Sequence, residues 1–229
     1  MKKFKYSEIT PEKIYKNRRS FIKSIGLGAS SLAISTIPFA NKSFANDRDK
    51  LTSYKDITTY NNYYEFGTSK SDPYRNSQIF KTTPWEISIE GEVEKPIKLS
   101  MEEISEMFVS EERIYRLRCV EGWSMVIPWM GFSLSELLSK VNPTNKAKFV
   151  EFESVYDPAQ MKGQRYPVLN WPYNEGLRID EAMHPLTTVV TGLYGKKLPN
   201  QNGAPLRIFI PWKYGFKSAK AIVKIKFVE

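Results

Sequence analysis

The sequence predicts an α+β domain that is mainly β. From Trp85 onward, short runs alternate apolar and polar residues with the period of a half-buried strand. Helical spacing is confined to a few short segments that begin at capping residues. Strands outnumber helices, and no internal repeat is visible, so we expect one layered domain with a single core.

The first elements lie close together. Residues 85–90 alternate as a strand, and Gly91 to Pro96 supply turn chemistry. Ser100 and Glu103 have the spacing of a capping box, which predicts a short helix beginning there. A strand follows over residues 114–120.

The single cysteine, Cys119, comes at the end of that strand. By period two it shares a face with Leu117, whereas Arg116 and Arg118 point to the other face. A second capping box, Ser133 with Glu136, predicts the next helix. The remaining predicted elements are strands over residues 149–156, 187–193, 206–210 and 221–227, and a helical turn over 179–183.

Two segments precede this pattern. Residues 46–78 are polar, rich in Tyr, Asn, Thr and Ser, and show no regular period, so we expect an extended arm or irregular loop laid on the domain. Residues 1–45 have the layout of a secretory signal: paired arginines at 18 and 19, a weakly apolar stretch, and small residues ending at Ala45. This predicts export through the twin-arginine translocase to the periplasm, and a mature domain over residues 46–229.

The alternative for the N-terminal segment is a membrane anchor, which its serines and Pro38 disfavour. The segment also accounts for most of the charge. It holds nine of the 34 basic residues and two of the 25 acidic ones, so the remainder carries 25 basic and 23 acidic residues. A nucleic-acid partner, which a formal charge of +9 would suggest, is therefore not expected.

The numbers of cysteine and histidine residues limit which disulfides and metal sites are possible. One cysteine excludes an internal disulfide, and one histidine, His184, excludes a His-rich zinc or iron site. Cys119 could be a small buried hydrophobe, as most free cysteines are. Its place at a strand end, near two arginines and in an exported chain, favours instead a thiolate that ligates a redox-active metal. His184 is expected to be structural.

Several blocks carry a specific resemblance. The segment Arg116-Leu-Arg-Cys-Val-Glu-Gly-Trp-Ser-Met-Val-Ile-Pro-Trp129 resembles the metal-ligand segment of the sulfite-oxidase fold, and more narrowly of the periplasmic protein-methionine-sulfoxide reductase catalytic subunits. The likeness continues through Tyr60-Asn-Asn-Tyr-Tyr-Glu-Phe-Gly67, Glu181-Ala-Met-His-Pro-Leu186, Gln201-Asn-Gly-Ala-Pro-Leu-Arg207 and Ile210-Pro-Trp-Lys-Tyr-Gly-Phe-Lys217.

The resemblance implies a sulfite-oxidase-type molybdopterin-binding domain in which Cys119 ligates molybdenum. Carried over to this sequence, the cofactor-binding residues are Asn61, Tyr64, Glu65, Ser154, Asn202, Arg207, Ser218, Ala219 and Lys220. Ser154 stands where the family usually has threonine, and the change keeps the hydroxyl. Independently, a pterin phosphate needs a cation and N–H groups, which Arg207 and the turn ending at Lys220 could supply.

The activity implied is reduction of methionine sulfoxide, free or in oxidised periplasmic proteins, to methionine. The chain has no haem or iron–sulfur motif, so electrons must come from outside. The family implies a membrane haem-containing subunit that is fed from the quinone pool.

There are three alternatives to the reduction of methionine sulfoxide. Sulfite oxidation is disfavoured because Val120, Glu121, Gly122 and Trp123 stand where sulfite oxidases place an arginine. Reduction of small S- or N-oxides stays open, as does a cofactor-free exported binding domain. Family members usually continue beyond the last strand, whereas this chain stops at Glu229, so we expect the family's C-terminal part to be lacking.

Overall fold

The computed structural model describes residues 50–229; the predicted signal peptide over residues 1–45 lies outside the described residues. In the described part there are ten strands and five short helices, which agrees with the predicted mainly-β class. None of these helices has the length and apolarity needed to cross a membrane.

The helices are α1 (Tyr54–Thr59), α2 (Asp72–Asn76), α3 (Met101–Met107), α4 (Leu134–Leu138) and α5 (Ile179–Ala182). The strands are β1 (Glu86–Gly91), β2 (Ile97–Ser100), β3 (Glu111–Arg118), β4 (Ser124–Ser133), β5 (Phe149–Ser154), β6 (Asn174–Arg178), β7 (Thr188–Leu193), β8 (Lys196–Lys197), β9 (Arg207–Phe209) and β10 (Ile222–Val228).

The strands form two sheets. The first has the order β2-β1-β10-β5-β6, in which β1 pairs in parallel with β10 and the other pairings are antiparallel. The second has the order β3-β4-β7-β8, and β9 also pairs with β7. The chain therefore alternates between the sheets: β1 and β2 lie in the first, β3 and β4 in the second, β5 and β6 in the first, and β7 to β9 in the second. It then returns to the centre of the first sheet with β10.

The main core joins the inner face of the first sheet to the short helices and to part of the second sheet. Ile87, Phe152 and Ile225 from three neighbouring strands are fully buried with Leu137 of α4 and Ile208 of β9. Each such side chain contributes roughly 1.5–3 kcal/mol of burial free energy. This core fixes the positions of β9 and β10, between which the Gly215–Lys220 turn lies.

The predicted alternation of the last strand is wrong at one position. The sequence pattern places Ala221, Val223 and Ile225 on one face, but the register with β5 shifts between Ile222 and Lys224. As a result Ile222 and Ile225 are both buried, whereas Val223 is only half-buried. An irregularity of this kind adds a residue that the period-two rule does not anticipate.

The predicted extended arm is also wrong in its local structure. Residues 54–59 and 72–76 form α1 and α2, and Ser53 caps α1 by accepting a hydrogen bond from the Asp56 N–H group at 3.1 Å. Ile57, Tyr63 and Phe66 are almost fully buried. Helices this short show no clear period because tertiary packing, not amphipathic repetition, stabilises them.

β4 is the longest of four strands that the sequence pattern did not predict; the others are β2, β6 and β8. All but two of its ten positions are buried, because one side packs on the core cluster around Trp129 and the other reaches the main core at Phe132. A strand buried on both faces reads as a continuous apolar run without alternation. With β3 it forms the hairpin that carries Cys119 at its turn.

Candidate functional site

A cavity of about 340 Å³ lies where three parts of the chain meet. One wall comes from the segment around α1, a second from the β3–β4 hairpin, and a third from the loops on either side of β9. The structure brings seven of the predicted site residues to this cavity: Asn61, Tyr64, Glu65, Cys119, Asn202, Arg207 and Lys220.

Cys119 is held at the hairpin turn. Its backbone N–H donates to the Trp123 carbonyl at 2.9 Å, and the Gly122 N–H donates to the Cys119 carbonyl at 3.0 Å. Gly122 adopts φ 90°, a left-handed conformation that favours glycine. The turn therefore fixes the half-buried sulfur on the cavity wall.

The Cys119 sulfur has two N–H groups directed at it. Asn62 Nδ2 lies 3.2 Å from Sγ, and the Glu121 backbone nitrogen lies 3.5 Å from it. Donors around a sulfur stabilise negative charge on it, which suits a thiolate ligand of a metal. In the described part of the chain, no three His, Cys, Asp or Glu residues are grouped to hold a metal ion. A metal here would take its other ligands from a bound group.

Two asparagines present acceptor oxygens to the cavity. The Nδ2 atoms of Asn61 and Asn202 both donate to the Ile57 carbonyl, at 2.9 Å and 3.0 Å. Their Oδ1 atoms are buried and have no hydrogen-bond partner. Because one shared carbonyl orients both amides, the two oxygens are fixed as acceptors for an N–H-bearing ligand.

Arg207 supplies a buried cation. Its guanidinium donates to the carbonyls of Asn202 at 3.0 Å and Ser218 at 3.5 Å, and it lies 5.2 Å from the centre of the Trp129 ring. Burial lowers the pKa of Arg207 to about 10, so the group stays charged at neutral pH. Its Nε atom has no partner.

Lys220 is the second cation. Burial lowers its pKa to about 8, against the opposing attraction of the Glu65 carboxylate. Burial likewise raises the pKa of Glu65, against the influence of Lys220. Arg207 and Lys220 thus line one cavity with the buried Glu65, and an excess of positive charge at such a site is stabilised by an anion such as a phosphate.

Ser154, Ser218 and Ala219 do not line the cavity, although all three are buried. Ser218 and Ala219 directly precede Lys220, and the Ala219 carbonyl accepts from the Ile208 N–H at 2.9 Å. The hydroxyls of Ser154 and Ser218 lack hydrogen-bond partners. Their cofactor-binding role stays a prediction.

The unpartnered polar atoms test whether the residues fit a molybdopterin. Eight buried side-chain polar atoms in residues 50–229 lack a hydrogen-bond partner, and buried polar groups are normally paired. Five of these atoms belong to residues that line the cavity: Asn61 Oδ1, Asn62 Oδ1, Trp129 Nε1, Asn202 Oδ1 and Arg207 Nε. Two more are the hydroxyls of Ser154 and Ser218. A ligand with several donors and acceptors and an anionic end fits this set.

Among the wall residues that were not predicted as site residues, Asn62, Glu121 and Trp123 surround Cys119. Asn62 contacts the sulfur, and Glu121 accepts from Trp123 Nε1 at 3.0 Å and forms an ion pair with Lys70 at 2.8 Å. The Lys70 hydrogen bond, followed by that of Trp123, lowers the pKa of Glu121 to about 2. All three lie in the sequence blocks that carry the resemblance, Asn62 next to Asn61 and the other two close to Cys119. This closeness in sequence is the signal that could have indicated them as site residues.

His184 lies outside the cavity. Its Nδ1 accepts a hydrogen bond from the Leu186 N–H at 3.2 Å, and its ring packs edge-on against Trp212 with 4.6 Å between centroids. These contacts fit the structural role that the sequence indicates.

Comparison with known proteins identifies the family of the chain. Residues 75–229 match the family described as oxidoreductase molybdopterin binding domain. The chain is 51% identical to the protein-methionine-sulfoxide reductase catalytic subunit MsrP of Burkholderia mallei, over 97% of this chain and 72% of that protein. It is 52% identical to the same-named protein of Xanthomonas axonopodis pv. citri, over 97% of this chain and 73% of that one.

A solved structure shows the same fold. The sulfane dehydrogenase SoxCD from Paracoccus pantotrophus superposes with a TM-score of 0.56 at 12% identity, covering 96% of this chain. This chain spans 60% of the length of that one. With the cavity geometry and the sequence identity taken together, the chain belongs to the molybdopterin-binding oxidoreductases, in the family of the protein-methionine-sulfoxide reductase catalytic subunits.

Proposed function

We propose that this protein reduces methionine sulfoxide, free or within proteins, to methionine, using a molybdopterin cofactor whose metal is ligated by Cys119. The observation that carries the proposal is the placement of the Cys119 sulfur in one cavity with the cations of Arg207 and Lys220 and a set of unpartnered acceptors and donors. About half of all positions are shared with relatives that bear this activity in their names.

The charges and unpartnered polar atoms of the cavity wall support a proposed position for each part of the cofactor. Arg207 and Lys220 suit the phosphate, because both cations line the cavity and burial lowers the pKa of each. The acceptor oxygens of Asn61 and Asn202 suit the N–H groups of the pterin. Tyr64, Ser154, Ser218 and Ala219 complete the proposed binding set. When bound, the cofactor supplies two-electron oxygen-atom transfer.

The chain's own residues hold the reacting region in place. Asn62 orients and stabilises the Cys119 sulfur through its N–H group. Trp123 and Tyr60 pack edge to face, 5.3 Å between centroids, and form an apolar wall beside that sulfur. A thioether product is apolar, so this wall favours a methionine side chain and excludes water around it.

We further propose the setting of the reaction. The predicted signal over residues 1–45 supports export by the twin-arginine translocase to the periplasm. The relatives are named catalytic subunits, which supports a separate electron-donor subunit. We propose a membrane haem-containing subunit supplied by the quinone pool, with oxidised periplasmic proteins as substrates.

Metal analysis and turnover test the proposal together. Protein purified from molybdenum-replete cells is expected to contain about one molybdenum per chain, in keeping with a single thiolate ligand, and to reduce methionine sulfoxide anaerobically with an artificial donor. Cys119→Ala is expected to abolish the activity while its thermal unfolding shows a folded protein. Full activity in that variant, or folded wild-type protein from molybdenum-replete cells that contains no molybdenum, would overturn the proposal; the second result would favour a cofactor-free binding domain.

A further inference from the structure

The segment that runs from β9 into the Gly215–Lys220 turn exposes three aromatic rings. Trp212, Tyr214 and Phe216 are 44%, 51% and 48% exposed, whereas Lys213 and Gly215 between them are half-buried. We call these three side chains the aromatic ridge. Large exposed aromatic side chains that lie together on a surface mark an interaction site.

Two half-buried lysines of the same segment, Lys213 and Lys217, hold the ridge in place. Lys213 forms an ion pair with Glu181 at 2.6 Å, and Lys217 forms one with Glu175. The Tyr173 hydroxyl donates to the Phe216 carbonyl at 2.9 Å. Both lysines are thus neutralised by carboxylates, so the segment presents rings and little net charge, which favours an apolar partner over a charged one.

The ridge is continuous with the cavity. Phe216 lines the cavity together with Cys119, and so do the exposed side chains of Val120 and Leu169. Tyr214 stacks on Phe216 with 6.4 Å between ring centroids. Side chains on one face of an extended peptide lie about 7 Å apart, which is close to this spacing.

We propose that the aromatic ridge binds the apolar polypeptide segment that flanks a methionine sulfoxide in an unfolded protein substrate. This inference rests on the proposed function. Methionine is an apolar residue of protein cores, and its oxidation disrupts those cores and exposes apolar neighbours. A segment whose oxidised side chain enters the cavity past Phe216 continues across Tyr214 and Trp212, where its apolar side chains meet the rings.

The test compares two substrates with the cofactor-loaded full chain and an artificial donor. Tyr214→Ala and Trp212→Ala are each expected to raise KM for oxidised, unfolded casein roughly tenfold, the loss typical of one aromatic anchor, with kcat unchanged. Neither variant changes the kinetics with free methionine sulfoxide, because neither ring lines the cavity. Tyr214→Phe keeps the ring and is expected to behave as wild type.

The matched control is Tyr74→Ala, which removes a 46% exposed tyrosine from α2, outside the cavity wall. A second readout is the binding of each variant to immobilised oxidised casein without donor. Equal losses for both substrates, or ridge variants that match Tyr74→Ala, would overturn the inference. Wild-type protein that reduces free sulfoxide but not casein overturns the inference alone, and activity on neither substrate overturns the proposed function as well.

Discussion

Asn62 donates a side-chain hydrogen bond to the Cys119 sulfur over 3.2 Å, across 57 residues of sequence. The contact links the segment after α1 to the β3–β4 hairpin at the thiol on the cavity wall. Because the N–H group is positive, it stabilises the electron-rich states of a metal bound to that sulfur.

Removing this donor is expected to change the metal more than the fold. Asn62→Leu keeps the volume but loses the N–H group, so the metal's reduction potential should fall, on the order of tens of millivolts for one lost hydrogen bond. Potentiometric titration of loaded protein measures this, and Asn145→Ala, at an exposed position, is the control. An unchanged potential at full metal content would show that the hydrogen bond does not act on the metal.

Lys220 is expected to destabilise the cofactor-free protein. Its pKa is lowered from 10.5 to about 8 by burial, so below pH 8 the folded chain holds a proton on a lysine that water would solvate better. Between pH 8 and 10.5 the unfolded state binds more protons than the folded state, and stability therefore rises with pH. The shift corresponds to roughly 3 kcal/mol at pH 7.

Lys220→Met should remove this contribution. The cofactor-free variant is expected to be at least as stable as wild type at pH 7, with the difference between them shrinking as pH rises through 8 to 10.5. Denaturant unfolding across that range measures it. The same variant should retain less cofactor. A variant less stable than wild type at pH 7 would show that Lys220 is compensated by the fold alone.

The parts of the site that sequence could predict are those with unusual chemistry. Cys119 is distinctive because it is the single thiol and lies at a strand end. Arg207 is distinctive because it is a cation that closely follows Pro205 at a strand start. Asn61 and Asn202 are not distinctive in this way: their role depends on both amides sharing the Ile57 carbonyl, a contact between segments about 145 residues apart. Only the resemblance could indicate them.

The fold was predictable where one face of an element meets water. The Ser100–Glu103 capping box forms as predicted, with Glu103 accepting from the Ser100 N–H at 2.7 Å. β4 was missed because both of its faces are buried, and α1 because six residues are too few to show a period. In both cases tertiary contacts decide the local structure, and these are not visible along the sequence.

Asp157 is expected to make stability depend on pH at the acid end. Its carboxylate accepts from Gln160 Nε2 at 2.5 Å and from the N–H groups of Ala159 and Gln160 at 3.0 and 3.1 Å, and the Gln160 side chain is the main cause of its lowered pKa. A depressed pKa contributes stability at neutral pH that is lost as pH falls through the folded-state value. Asp157→Asn should cost about 1 kcal/mol at pH 7 and nothing near pH 2. Thermal unfolding at both pH values measures this; an equal loss at both would show that charge is not the cause.

Gly163 couples the loop between β5 and β6 to the cofactor site. Its N–H donates to the Glu65 carbonyl at 2.8 Å, and a Cβ added at this position would lie 2.0 Å from the Tyr64 carbonyl oxygen and 2.8 Å from the Glu65 carbonyl carbon. Backbone cannot yield as a flexible side chain can, so Gly163→Ala must displace the segment that carries Tyr64 and Glu65.

The substitution is therefore expected to lower the free energy of unfolding by about 2 kcal/mol and to reduce cofactor content in the protein that remains folded. Gly176→Ala on β6 is the matched control, because its nearest neighbour would be 3.8 Å away and it should change neither quantity. Denaturant titration and molybdenum content measure the two effects separately. If Gly163→Ala lost stability but kept full cofactor, Tyr64 and Glu65 would not be part of the binding site, since their displacement could not leave a site built on them intact.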